Sequence, residues 1–198
     1  MSGTRRSNGA LFSQERMNRA RRCATFSARI FVAAFVLTFA QIALAGSDDA
    51  ALDFRLRGID GKTYDAAKLR GKIVLISFGA TWCAPCIAEL EALEDLKREY
   101  AGEPVEFLWV SIETEEERSD WTLRSFARDN RLTIPVLRDP KRAVYSRFSA
   151  RTRMPLVVFL DREGKVAGKP HVGMTTPEAY KEIIRRRLNE LLNEDIKP

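Results

Sequence analysis

Apolar and polar positions along this chain change period several times, and each change marks an element. Leu52-Asp53-Phe54-Arg55-Leu56-Arg57 alternates strictly, and after Gly58-Ile59-Asp60-Gly61 the chain extends again through Lys62-Thr63-Tyr64. Alternation interrupted by Asp-Gly predicts a β-hairpin. Ile73-Val74-Leu75-Ile76-Ser77-Phe78 is almost continuously apolar, as suits a central strand covered on both faces. From Ile87 to Tyr100 the spacing becomes helical, with Leu90, Leu93, Leu96 and Tyr100 on one side. Ala101-Gly102-Glu103-Pro104 stops that helix, and Val105-Glu106-Phe107-Leu108-Trp109-Val110-Ser111-Ile112 predicts the next strand.

Glu113 to Arg118 is acidic and reads as a solvated loop. A helix over Ser119 to Asn130 places Trp121 and Phe126 on the side expected to face the core. Ile134-Pro135-Val136-Leu137 predicts a short strand whose proline belongs at an edge or at strand entry. Asp139-Pro140 opens a helical stretch from Lys141 to Ser149. Leu156 to Leu160 is a buried strand, Asp161 to Gly164 a turn, and Lys165-Val166-Ala167 its returning partner. Thr176 caps a last helix with Pro177 at its first position, and its stripe of Tyr180, Ile183, Ile184, Leu188 and Leu191 reads as core. No internal repeat or low-complexity segment interrupts this order. Strands alternating with helices indicate an α/β fold, a mixed sheet with helices on both faces. Such sheets place their sites at strand carboxyl ends, and Cys83 follows one.

At 198 residues, 45% hydrophobic and 30% charged, the chain suits one globular domain. Its net charge of +6 is unevenly placed. Residues 1–29 hold seven arginines against the single acid Glu15; taking these from 33 bases and 27 acids leaves 26 of each. A basic surface for nucleic acid lacks support, so no nucleic-acid partner is expected. The arginine-rich lead runs into an apolar stretch, Ile30 to Ala45, that closes on Ala43-Leu44-Ala45. These are the parts of a Sec-type secretory signal cut after Ala45. The apolar run falls short of the roughly 20 residues of a bilayer span, with an uncleaved inner-membrane anchor as the alternative. Met17 is the suspected true start, and no cysteine follows the run to suggest a lipoprotein. The expected organisation is a signal at 1–45 and one periplasmic, monomeric domain at 46–198, touching a membrane only if the signal stays uncleaved.

Cleavage removes Cys23 and leaves Cys83 and Cys86, three positions apart. A loop this short is a poor structural staple, because the entropy removed from the unfolded chain grows with loop length. Structural zinc needs four ligands, and the mature chain adds one histidine, His171, with no second cluster. A redox-active pair remains. Cys83 at a strand-to-helix junction meets unpaired N–H groups and the positive end of the helix dipole. These lower a thiol pKa from about 8.5 into the range of about 3.5–7.5. Cys83 is then the group that attacks a substrate disulfide, and Cys86 resolves the mixed disulfide to leave Cys83–Cys86. Neither an organic cofactor nor a metal is needed, but a separate electron donor is.

Trp82-Cys83-Ala84-Pro85-Cys86 behind an apolar strand, with Arg153-Met154-Pro155 before the strand Leu156 to Leu160, resembles the thioredoxin superfamily. The similarity is greatest to exported thiol-disulfide oxidoreductases of the TlpA/ResA type and spans Leu52 to Leu192. It implies a thioredoxin-like mixed sheet, an N-terminal hairpin at Leu52 to Tyr64, and an inserted helix-strand unit at Asp120 to Leu137. It also implies a cis peptide at Met154-Pro155 facing the thiols. The implied catalytic set is Cys83, Cys86, Glu89 and Pro155, with Glu89 assisting proton transfer. Trp82 shields the pair and offers a flat contact, and Pro155, lacking an N–H, lets a substrate backbone pair with Met154. Three positions depart from the family pattern: Ser77 replaces a buried aspartate, Ile87 a basic residue, and Glu91 a helix-kinking proline.

The implied function is reduction of client-protein disulfides, such as haem-attachment or copper-site cysteines, with re-reduction by a membrane electron donor. A disulfide-forming oxidase is the alternative enzyme, although Ala84-Pro85 lacks the histidine of strong oxidants. A Cu(I) chaperone using Cys83, Cys86 and His171 is the alternative outside enzymes. A thiol peroxidase is disfavoured because Thr-x-x-Cys is absent. His171 reads as a surface residue near the last hairpin.

Overall fold

The computed structural model describes residues 51–194. The expected signal, with Met17 and Cys23, lies outside the described residues. The described chain forms one seven-stranded mixed sheet of order β2-β1-β5-β4-β3-β6-β7. The strands are β1 (Arg55–Gly58), β2 (Thr63–Asp65), β3 (Ile73–Gly79), β4 (Val105–Ser111), β5 (Val136–Arg138), β6 (Leu156–Leu160) and β7 (His171–Val172). Three α-helices flank it: α1 (Ala84–Glu99), α2 (Asp120–Asp129) and α3 (Pro177–Glu194). β3, β4 and β5 run parallel, β6 pairs antiparallel with β3, and the β1–β2 hairpin adds antiparallel to β5.

Every residue of β3 is buried, as its apolar run predicts. Side chains alternate across a sheet, so its two sets serve two layers. Ile73 and Leu75 join Trp109, Val136 and Phe159 beneath Leu90 and Leu93 of α1, Leu123 of α2 and Ile184 of α3. Val74, Ile76 and Phe78 join Leu108, Val110 and Val158 on the other face. That face is covered by Leu52, Phe54, Ala66, Val144 and Tyr145, from the N-terminal segment and the 3-10 helices Ala66–Leu69 and Tyr145–Arg147. Ser77 is the polar exception in β3. Its register partners are Trp109 and Val157, which places it in the layer under the α-helices.

Two expectations need correction. Lys141 to Ser149 is no α-helix: the Asp139 carboxylate accepts from the N–H groups of Ala143, Val144 and Tyr145 at 2.8, 3.0 and 2.8 Å. Arg142 takes a left-handed φ of 54°, and only the 3-10 turn Tyr145–Arg147 follows. A side chain that satisfies local donors this way competes with the helix ladder. Trp121 is 70% exposed rather than in the core. In a helix of ten residues one stripe faces inward, and Leu123 and Phe126 occupy it, Phe126 stacking on Trp109. Lys165 to Ala167 does pair back on β6, through the antiparallel bridge of Leu160 with Val166 and the bond from Ala167 N–H to the Phe159 carbonyl, and the two-residue strand β7 follows at His171–Val172. Pro135 stands at strand entry, as expected: β5 is interior, and Pro135 needs only its carbonyl, which accepts from Trp109 N–H.

Candidate active site

β3 ends at Gly79, and a turn through Ala80, Thr81 and Trp82 delivers Cys83 to the N-cap of α1. Cys83 is extended (φ −88°, ψ 98°), and its sulfur accepts from the Cys86 N–H at 3.3 Å. Ala84 and Pro85 fill the first two helical positions, where the missing N–H of proline is harmless. Cys83 and Cys86 are joined in a disulfide with Cα atoms 5.2 Å apart. Their burial differs: Cys83 keeps 7% of its surface and Cys86 none. Cys83, the less covered residue, stands at the helix N-terminus, and Cys86 is sealed.

Met154-Pro155 is cis and leads into β6, whose Leu156 pairs with Phe78. That register carries Met154 to the mouth of β3, where it packs against Ala80, Cys83 and Cys86. Pro155 is buried and Trp82 is 59% exposed. An open groove of about 610 Å³ runs along α1, lined at its near end by Ala84, Ile87 and Glu91. α1 continues from Ala84 to Glu99 without interruption at Glu91.

One turn beyond Cys86, Glu89 is wholly buried. Ser77 Oγ donates to one of its oxygens at 2.6 Å and the Tyr180 hydroxyl donates to the other. Burial pushes the Glu89 carboxyl up to about 7, and the bonds from Ser77 and Tyr180 pull the other way. Burial, and then Glu89 itself, raise Tyr180 well above the ordinary phenol value. The structure thus brings Cys83, Cys86 and Met154 together, places Glu89 one turn along α1, and gives it Ser77 and Tyr180 as partners. Tyr180 reads as core in its helical stripe, yet a fully buried tyrosine signals that its hydroxyl needs a partner.

Glu113 is a second residue that sequence reasoning does not mark. The expected solvated loop holds for the exposed Glu115, Glu116 and Glu117, but Glu113 is 1% exposed. It accepts from Thr81 N–H at 3.0 Å, Thr81 Oγ1 at 2.7 Å and Ser111 Oγ at 3.0 Å. The carboxylate therefore ties the end of β4 to the turn that presents Trp82 and Cys83. Glu113→Ala leaves the Thr81 N–H without its acceptor. A loss of about 1–3 kcal/mol of stability is expected in urea unfolding for each buried donor so orphaned. Glu113→Gln keeps the backbone bond and should retain most of that stability.

Across the site, the Tyr145 hydroxyl braces the loop before Met154. It accepts from Arg153 N–H at 2.6 Å and faces the carbonyls of Arg151 and Arg153 at 2.9 and 3.0 Å. Gly79 closes the floor: a Cβ there would lie 2.9 Å from Trp109 Nε1 and 3.2 Å from the Cys86 Cβ. Gly79→Ala should destabilise by about 1–3 kcal/mol through overpacking, measurable by thermal unfolding. His171 lies in β7 with its ring 5.7 Å from that of Tyr180. Among the described residues no three His, Cys, Asp or Glu side chains gather as a metal site. His171 is thus not joined to Cys83 and Cys86 in such a cluster.

Residues 47–169 match the AhpC/TSA family. The thioredoxin-like protein YneN of Bacillus subtilis (strain 168) is 34% identical over 130 residues, 66% of this chain and 74% of its own. The thiol-disulfide oxidoreductase ResA of Halalkalibacterium halodurans is 27% identical over 146 residues, 74% of this chain and 80% of its own. Among solved structures, a thiol:disulfide interchange protein of the DsbE type from Chlorobium tepidum superposes with a TM-score of 0.62 at 26% identity. That match covers 74% of this chain and 98% of the other.

Proposed function

Because this chain belongs to the AhpC/TSA family, we propose that its disulfide works outside the cytoplasm, reducing specific client-protein disulfides by exchange at Cys83 and Cys86. The chain is a thiol-disulfide oxidoreductase of the ResA/DsbE type with a thioredoxin-like fold. The observation that carries the finer reading is the unequal burial of two disulfide-bonded cysteines at one helix N-terminus. In the reduced protein the outer thiol, Cys83, is the one a client disulfide can reach, and the N–H groups of the first turn stabilise its thiolate.

Cys83 attacks one client sulfur and forms a mixed disulfide, releasing the other client sulfur as a thiolate. Cys86 then gives its proton to Glu89 and attacks Cys83, and the second client sulfur leaves. Two electrons pass to the client, and the Cys83–Cys86 disulfide remains. Pro155 presents no N–H beside this site, so a client backbone can bond to Met154, and Trp82 and Ile87 offer exposed apolar contact. The exchange uses no organic cofactor, and a membrane electron donor restores the dithiol. The sequence features at 1–45 support export to the periplasm, with clients such as proteins carrying haem-attachment or copper-site cysteines.

The direction of exchange rests on the reduction potential of the Cys83–Cys86 pair. Equilibration against glutathione should place it nearer the roughly −270 mV of thioredoxin than the roughly −120 mV of a strong oxidant. A value at the oxidant end would turn the reading into a disulfide-forming oxidase.

A further inference from the structure

Glu89 is held in a way that distinguishes it from a structural acid. Its partners are two hydroxyls, Ser77 from the middle of β3 and Tyr180 from the first turn of α3. A guanidinium or a backbone N–H can only donate, and so favours the carboxylate alone. A hydroxyl both donates and accepts, so it can turn to serve a protonated carboxyl as well. The other groups around this cluster are few. Cys86 lies one turn earlier on α1, and Trp109 stands beside Ser77 on β4 with its indole N–H unpartnered among the described residues. On β7, His171 lies against the Tyr180 ring. The nearest cation in sequence, Lys181, is committed to Asp95.

We propose that Tyr180 is a positioning residue for disulfide exchange. With Ser77 it clamps the Glu89 carboxyl one turn from Cys86 in an arrangement that serves both protonation states, and so sets the pH at which Glu89 takes the Cys86 proton. This rests on the reading of Glu89 as the proton acceptor in the resolving step. There the Cys86 proton passes to the carboxylate as the Cys86–Cys83 bond forms. The bond from Cys83 to the client breaks, the client sulfur leaves with that electron pair, and it takes a proton from water. Removing the Tyr180 hydroxyl leaves the carboxylate with one donor in place of two. The acceptor form is then populated only at higher pH.

The test uses the full chain with 13C-labelled glutamate, in a His171→Gln background that removes the one histidine of the sequence. The Glu89 side-chain carboxyl is titrated by NMR in the oxidised protein, and the resolving step is followed by stopped flow across pH. The parent midpoint should lie near 7. Tyr180→Phe should move it upward by about one to two pH units, the equivalent of one hydrogen bond to a charged group. Its resolving rate at pH 7 should fall about five- to fiftyfold, as the ionised fraction does, and recover as pH rises. Ser77→Ala, which leaves Tyr180 untouched, should shift the midpoint in the same direction. In a Glu89→Gln background Tyr180→Phe should no longer alter the pH profile of the resolving step. An unmoved midpoint in Tyr180→Phe, or a rate loss equal at every pH, overturns the proposal while the acceptor reading of Glu89 stands. If Glu89→Gln keeps the parent rate and profile, the acceptor reading falls and the proposal falls with it.

Discussion

Cys86→Ser should accumulate as mixed disulfides joined to client proteins through Cys83, and Cys83→Ser should accumulate none. The asymmetry follows from burial, because a client sulfur can meet the outer thiol but not one whose surface is wholly covered. Once Cys83 has attacked, Cys86, its disulfide partner across the first turn of α1, is the one thiol among the described residues placed to release the client. A serine there cannot form the second bond, and the intermediate persists. Turnover of a protein disulfide should fall on the order of 10³-fold or more in either variant, as when the attacking group of a covalent mechanism is deleted. Non-reducing gels and mass spectrometry of the full chain expressed in its envelope read the trapped species directly. Equal trapping by both variants would mean that Cys86 also reaches clients, and the assignment of roles would fail.

Glu89→Gln should slow the resolving step about 10²-fold, the scale of a lost general base, and should also stabilise the protein. The sign follows from linkage. Burial raises the folded-state carboxyl from 4.5 to about 7, while the unfolded chain keeps the ordinary value. Between those two values the native state binds the extra proton, so stability declines as pH rises through that window and levels off above it. At about 1.36 kcal/mol per pH unit, the decline attributable to this group is about 3 kcal/mol. Glutamine carries no charge, accepts from one hydroxyl through its carbonyl oxygen and donates its amide N–H to the other, and escapes the decline. Urea unfolding at pH 5 and pH 8 should therefore show Glu89→Gln gaining on the parent only at the higher value. A parent whose stability rises over that interval, with the variant rising in parallel, would show that the carboxyl is not held protonated.

Local patterns made the centre of the fold legible. The unbroken apolar run of β3, the helical spacing after Ile87 and the Thr176-Pro177 start of α3 all come from neighbours in the chain, and all three elements are present. The cysteine pair and Met154-Pro155 were legible for the same reason, as short contiguous motifs. The supporting residues were not, because their partners are distant. Glu113 meets Thr81 across 32 positions, and Tyr180 meets Glu89 across 91. In sequence, Glu113 stands among acids that do face water, and Tyr180 stands in a stripe that does pack the core. Only the register of β3 against β4, and the seating of α3 on α1, give either residue its partner. The same limit explains the stretch after Asp139: its composition favours a helix, but one carboxylate captures three successive N–H groups and bends the chain away.

The two loops framing the disulfide are each anchored by a side chain from elsewhere in the fold, one through Glu113 and the other through the Tyr145 hydroxyl. Loops at a binding surface are commonly mobile, and a partner that docks on them must give up affinity to order them. Here the chain itself bears that entropy during folding. A client disulfide therefore meets a surface whose conformational freedom is already spent, and more of the contact made by Trp82 and Met154 remains available to align its sulfur with Cys83.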